Sequence, residues 1–184
     1  MQKMKATLIL ENGMTFAGRS IGSGEERICE MVFNTSITGY QEILTDPSYA
    51  GQGIVMSYPL IGNYGVNHED NESTRPWAEA FIVRHLARRG SNFRCEDGLD
   101  SYLKQFHITG IEGVDTRALT RILRSQGTMN GMITTNADYK LEEVLPKLKE
   151  YTTGRVVERV TLQEKKVLKG SGPKVALMDF GAKD

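Results

Sequence analysis

The chain has 184 residues, of which 39% are hydrophobic and 25% are charged, a composition typical of a globular protein that can bury its own core. Its 23 Lys and Arg residues balance 23 Asp and Glu residues, which argues against a general binder of nucleic acid or of anionic membranes. No apolar run approaches the ~20 residues that span a bilayer, and we expect no signal peptide. Cys29 and Cys95 lack CxxC spacing, so we expect reduced thiols in a cytoplasmic protein.

Short strands dominate the first part of the chain. Glu11-Asn12-Gly13 lies between two β-prone runs and predicts a hairpin, because Asn-Gly tolerates the positive φ of a tight turn. The predicted strands, hairpin included, are 6–10, 16–21, 28–33, 54–58, 80–85, 107–111, 132–135 and 156–160.

Three segments have the apolar spacing of helices. The first contains Leu99, Tyr102, Leu103 and Phe106, and the second is predicted over 116–125, between an Asp115 N-cap and Gly127. The third covers 141–148 and contains Pro146, which we expect to kink or split it. This irregular mixture of strands and helices predicts an α/β or α+β fold.

Two stretches are predicted to be loops, and the second precedes a strand of a different kind. Residues 61–76 form a long polar loop, and 163–173 end in Gly170-Ser171-Gly172-Pro173, as interdomain linkers do. Residues 174–181 then read as the first strand of a buried parallel sheet. One strand cannot bury both its faces alone, so we expect a second α/β domain beyond residue 184.

No catalytic centre is evident from the sequence. A cysteine nucleophile on a strand-to-helix elbow needs small neighbours, which neither Cys29 nor Cys95 has. His68-Glu69-Asp70 could bind a metal ion, but it lacks ligand spacing and is better interpreted as a solvated loop. No GxxxxGK[ST] motif is present, so we expect no ATP site of the P-loop type.

One predicted helix carries arginines on a single face. Arg117, Arg121 and Arg124 stand at i, i+4 and i+7. Such a face is usually just solvated, but arginine is also enriched at protein interfaces, so a docking face remains an alternative.

The densest polar stretch runs over residues 34–59. Within it, Asp46-Pro47-Ser48-Tyr49 favours a type I turn with Ser48 at its third position. Closely packed hydroxyls and amides need hydrogen-bond partners if they are buried. The stretch is therefore either a cluster of polar turns or a polar site or subunit contact.

The same stretch carries a family resemblance. NTSITGYQEILTDPSYAGQ, which starts at Asn34, resembles the signature region of the carbamoyl phosphate synthetase small subunit. SYPLIGNYGVN, SNFR and GVDTRALTRILRSQGTMNG continue the resemblance in order along the chain. The final VALMDFGAKD resembles the opening strand of that subunit's class I glutamine amidotransferase domain.

The resemblance implies a fold and a role. In this family the small subunit hydrolyses glutamine and passes the ammonia to a large subunit. The large subunit uses bicarbonate, ATP and Mg to make carbamoyl phosphate, which serves arginine and pyrimidine synthesis. It implies a three-layer β/β/α domain of the swivelling type over 1–153, a linker over 154–173 and a truncated amidotransferase domain over 174–184. The implied partners are the large subunit, in a heterodimer or higher oligomer, and glutamine; no cofactor is expected in this chain.

Two site residues follow from the resemblance. The family's serine in the DPSY turn helps to hold glutamine and corresponds to Ser48, and Ser36 lies in the region that resembles the ammonia exit path. No catalytic residue can be carried over, because the nucleophile elbow and its His and Glu partners would follow residue 184. The chain is expected to be inactive alone, and a stand-alone interaction domain is the alternative.

Overall fold

Seven strands close into a barrel in the computed structural model, which describes residues 4–183. Their order around the barrel is β1-β2-β8-β6-β4-β3-β9. These strands are β1 (Lys5–Leu10), β2 (Thr15–Gly22), β3 (Arg27–Asn34), β4 (Gln52–Met56), β6 (Ala80–Val83), β8 (Thr109–Glu112) and β9 (Met129–Thr134). Two further short strands, β5 (Leu60–Ile61) and β7 (His85–Leu86), pair with each other outside the barrel.

Helices connect the strands and cover the barrel. They are α1 (Tyr40–Thr45), a 3-10 helix (Pro47–Tyr49), α2 (Leu99–Gln105), α3 (Thr116–Gln126), α4 (Leu141–Glu150) and α5 (Val156–Val160). The predicted mixture of strands and helices is thus confirmed. Among residues 4–183, no helix is long and apolar enough to cross a membrane.

The barrel has an antiparallel part and a parallel part. β1 and β2 form the predicted hairpin, with Leu8 opposite Phe16 and Gly13 at φ 85° in the turn. β3, β4, β6 and β8 run parallel to one another as neighbours. Their carboxyl ends therefore lie at one end of the barrel, and the loops that follow them are neighbours there.

The strands bury side chains on both faces. On one face, Leu8, Met31 and Ile82 share a core cluster with Leu119 and Leu123 of α3. On the other face, strands β4 and β6 pack against α1 and α2. Strand β6 is buried along its whole length, which explains its uninterrupted apolar sequence.

Two predicted strands are not formed. Residues 156–160 are the short helix α5, and the chain from Lys174 to Gly181 has no regular secondary structure. β-Branched residues favour strands only where a neighbouring strand and a buried face are available. The closed barrel offers no free edge for another strand, so these two segments lie outside it.

The predicted helix over 141–148 is not split at Pro146. Helix α4 runs as one element through the proline, although a proline nitrogen cannot donate the usual backbone hydrogen bond. Val144 and Leu148 bury against Ile9 and Met132 of the barrel. This tertiary packing outweighs the missing hydrogen bond.

We predict that Leu148→Ala destabilises the protein by about 2–5 kcal/mol, because Leu148 is fully buried and its truncation leaves a cavity. Chemical denaturation followed by circular dichroism measures the change. Leu168→Ala is the matched control: Leu168 is 84% exposed, so we expect less than about 0.5 kcal/mol. Equal stability of the two variants would mean that α4 does not pack on the barrel as described.

Candidate functional site

The predicted type I turn is the 3-10 helix Pro47–Tyr49. Asp46 begins it: its side chain accepts a hydrogen bond of 2.9 Å from the Ser48 N–H, and its carbonyl accepts one of 3.0 Å from the Tyr49 N–H. Pro47 occupies the first helical position, where its missing N–H costs nothing. Ser48 is exposed on this turn.

Helix α1, which the sequence did not predict, separates the two candidate serines. Ser36 is exposed in the loop before α1, and Ser48 follows α1. The Asn34 side chain connects the two sides: its Oδ1 accepts from the Ser36 N–H at 2.7 Å, and its Nδ2 donates to the Tyr49 hydroxyl at 3.0 Å. The two serines are therefore held in one framework, without direct contact between them.

The long loop of residues 61–76 is anchored to α1. The rings of Tyr40 and Tyr64 stack with centroids 4.2 Å apart, and the Tyr64 hydroxyl accepts from the Gly39 N–H at 2.7 Å. The fully buried Gln41 donates to the Asn67 carbonyl and accepts from the Asn67 N–H at 3.0 Å. The loop's path is thus set by α1.

A second set of hydrogen bonds fixes the end of α1. The Thr45 hydroxyl accepts from the Glu72 N–H at 2.9 Å, and the Thr45 carbonyl accepts from the Ser73 hydroxyl at 2.6 Å. The Ser73 hydroxyl in turn accepts from the Trp77 indole N–H at 2.8 Å. Much of the polar stretch therefore serves structure, as the turn-cluster interpretation proposed, while Ser36 and Ser48 remain exposed.

The C-terminal segment returns to the Ser48 turn. The Lys183 ammonium lies 2.9 Å from an Asp46 carboxylate oxygen and 3.2 Å from a Glu72 carboxylate oxygen. A Cβ at Gly181 would lie 3.4 Å from the Pro47 Cβ. The segment thus ends beside the predicted glutamine-contacting residue, a juxtaposition for which the sequence carried no signal.

The part of the chain that contains the candidate site matches the model of a known protein family. Residues 8–133 match the family model described as the carbamoyl-phosphate synthase small chain, CPSase domain. The chain belongs to this family. The match includes both candidate serines and the whole polar stretch around them.

Relatives extend the match beyond the CPSase domain. The carbamoyl phosphate synthase small chain of Clostridium perfringens is 52% identical over 98% of this chain and 51% of its own length. The pyrimidine-specific small chain of Bacillus subtilis is 45% identical over 98% of this chain and 50% of its own length. This CPSase-domain chain therefore spans about half the length of the curated relatives it matches.

The two cysteines of this CPSase-family chain have different environments. Cys29 is fully buried in strand β3, and burial raises the pKa of its thiol far above the usual value. Cys95 is partly exposed, and its Sγ lies 3.4 Å from the Asp97 carbonyl oxygen. A thiol held neutral by burial is a poor nucleophile, which fits the expectation that Cys29 is not catalytic.

The His68-Glu69-Asp70 loop is tied to a neighbouring loop by ion pairs. Arg94 contacts Glu69 at 2.9 Å and Asp70 at 2.7 Å, and His68 Nδ1 lies 2.5 Å from a Glu96 oxygen. Within residues 4–183, no group of three or more His, Cys, Asp or Glu side chains is arranged to hold a metal ion.

The Asp46 carboxylate is the titrating group next to Ser48. Partial burial raises its pKa, but hydrogen bonds from Ser48 and Lys183, together with the Lys183 charge, outweigh this and hold the pKa below its ordinary 3.8. The lowered pKa means that the contacts favour the ionised form. Their stabilisation is present above about pH 4 and is lost as the pH falls through the lowered pKa.

We predict that the Ser48 amide resonance titrates with a midpoint below 3.8 and that Lys183→Ala moves this midpoint upward, because the variant removes the Lys183 cation from Asp46. Two-dimensional NMR across pH 2–6 measures it. Lys174→Ala is the control, because Lys174 is exposed and contacts neither acidic residue. An unchanged midpoint in Lys183→Ala would show that the ion pair is not formed in solution.

Proposed function

We propose that the chain is the N-terminal part of the small subunit of glutamine-hydrolysing carbamoyl phosphate synthase, a cytoplasmic ligase. In this role it helps to form the site where glutamine yields ammonia, and it assembles with a large subunit that binds ATP and Mg and makes carbamoyl phosphate for arginine and pyrimidine synthesis. The proposal is supported by membership of the CPSase-domain family and by relatives named as small chains.

One observation supports this role most directly. The segment that resembles the opening strand of the amidotransferase domain lies against the Ser48 turn, through Lys183 and Asp46 at 2.9 Å. Its Val175, Leu177 and Met178 side chains are between 78% and 88% exposed. Apolar side chains in such a segment are what a buried parallel strand would supply to a following α/β domain. On this proposal, Ser48 stands at the boundary between the two domains.

The proposal extends to the fold and to the division of the chain. We assign a three-layer β/β/α domain of the swivelling type to residues 1–153, a linker to 154–173 and the start of an amidotransferase domain to 174–184. Residues 1–3 and 184 of these ranges lie outside the described part of the chain. The alternative of a stand-alone interaction domain is not favoured, because the relatives are enzyme subunits about twice as long.

Ser48 is proposed to contact glutamine through its side chain. The Ser48 N–H already donates to Asp46, while the residue itself remains exposed. Glutamine presents a charged ammonium and a charged carboxylate, and a hydrogen bond to a charged group contributes about 1.5–3 kcal/mol. Ser36, at the other end of α1, is proposed to lie near the path along which ammonia leaves.

We predict that Ser48→Ala in the complete small subunit raises the KM for glutamine about 10- to 150-fold with little change in kcat, because the contact is remote from the scissile amide. Steady-state glutamine kinetics of the assembled enzyme measure it. Ser101→Ala, at an exposed position on α2, should leave KM unchanged. An unchanged KM in Ser48→Ala would mean that Ser48 does not contact glutamine and that the turn has only a structural role.

We also predict that the 184-residue chain alone does not hydrolyse glutamine, because neither of its cysteines lies on a nucleophile elbow. A coupled glutamate assay on the purified chain measures this. Turnover that disappears in Cys29→Ser or Cys95→Ser would contradict the assignment of both residues.

A further inference from the structure

The Asn34 side chain joins two parts of the chain that carry candidate site residues. Asn34 is the last residue of β3, and its carbonyl accepts from the Ser57 N–H at 3.0 Å. Ser57 directly follows β4, the parallel neighbour of β3 in the barrel. The Asn34 side chain therefore starts from a position that the pairing of β3 with β4 determines.

The two ends of the Asn34 carboxamide have different partners. A backbone N–H can only donate, so the bond of 2.7 Å from the Ser36 N–H requires the carboxamide oxygen on that side. The carboxamide nitrogen is then directed at the Tyr49 hydroxyl, to which it donates at 3.0 Å. One side chain thus contacts both the loop before α1 and the 3-10 helix after α1.

The contact with Tyr49 leads to Ser48. Tyr49 follows Ser48 directly and is the last residue of the 3-10 helix, and its N–H donates to the Asp46 carbonyl at 3.0 Å. The Tyr49 ring packs against the core cluster that contains Tyr40 and Leu44 of α1. The ring and the hydroxyl have separate contacts, so removal of the hydroxyl alone leaves the ring packed.

The contact with Ser36 restrains a segment that has little packing of its own. Residues 35–38 are exposed, and the loop is next anchored at Gly39, whose N–H donates to the Tyr64 hydroxyl at 2.7 Å. Exposed segments with few buried contacts are the parts of a protein that open most easily. The bond to Asn34 therefore restricts the conformation of the segment that carries Ser36.

We propose that Asn34 is a positioning residue for both candidate serines. Its oxygen orients the segment of Ser36, and its nitrogen holds the Ser48 turn through the Tyr49 hydroxyl. The inference rests on the proposed function, under which Ser48 contacts glutamine and Ser36 lies near the path of ammonia. Asparagine suits this role because its carboxamide offers an acceptor and a donor in one group.

The test breaks the two contacts separately in the enzyme assembled from the complete small subunit and the large subunit. Tyr49→Phe removes the hydroxyl and keeps the bond between Asn34 and Ser36. Its KM for glutamine should rise about two- to tenfold, the range that one hydrogen bond covers, with kcat unchanged. The carbamoyl phosphate formed per glutamine hydrolysed should stay at the wild-type value.

Asn34→Ala removes both contacts. We expect a similar rise in KM and, in addition, a loss of carbamoyl phosphate per glutamine of about twofold or more, because ammonia escapes when the Ser36 segment is released. This difference in yield between the two variants is a readout that a general loss of stability would not produce.

Tyr139→Phe is the matched control. Tyr139 is also a partly buried tyrosine, but it packs against the cluster that contains Ile9 and Leu148. The change should leave both KM and yield unchanged, and melting curves should show that all three variants fold. With ammonia supplied in place of glutamine, every variant should form carbamoyl phosphate at the wild-type rate.

The outcomes distinguish the inference from the proposed function. A wild-type KM in Tyr49→Phe, or a wild-type yield in Asn34→Ala, would overturn the inference and leave the proposed function standing. The same loss of yield in both variants would also overturn it, because Tyr49→Phe keeps the bond to Ser36. If the wild-type assembly makes no carbamoyl phosphate from glutamine, the proposed function is wrong and the inference fails with it.

Discussion

The pairing of β9 with two different strands is the constraint on which the rest of the structure depends. β9 lies antiparallel to both β1 and β3, so that Gly131 stands opposite Leu10 on one side and Cys29 on the other. A Cβ at Gly131 would lie 2.9 Å from two side-chain atoms of Met31, so a larger residue there would force the Met31 side chain to move. Because β9 joins the antiparallel hairpin to the parallel strands, it closes the barrel and removes its free edges.

Closure of the barrel determines where the connecting loops and the C-terminal segment lie. All four parallel strands end on the same side, so the loops that follow them are neighbours, and Arg84 after β6 contacts Asp115 after β8. The segments after β9 find no edge of the barrel to join, and they form helices α4 and α5 and a C-terminal segment without regular secondary structure. That segment is left to contact the Ser48 turn through Lys183.

Hydrogen bonds from the short helix α1 position the candidate site. Six residues alone form a marginal helix, but buried Gln41 and Thr45 tie α1 to the long loop by hydrogen bonds at both of its ends. A buried polar group whose hydrogen bonds are all satisfied stabilises one particular arrangement of the chain. The same group without hydrogen-bond partners would destabilise the folded protein. The turn that presents Ser48 is thus held in place by a hydrogen-bond network, and most residues of that network have a structural role.

The sequence by itself determined the elements whose cause is local. Asn12-Gly13 specified the hairpin, and Asp115 and Gly127 bounded α3, because a turn or cap depends on a few adjacent residues. The tertiary structure decided the outcomes that depend on distant partners. Residues 156–160 became a helix because no strand edge was available, and α4 continued through Pro146 because its buried side packs on the barrel. The approach of Lys183 to Asp46, 137 residues away in sequence, is likewise a product of the fold. Local patterns cannot encode such pairings, because they arise only once the barrel has closed.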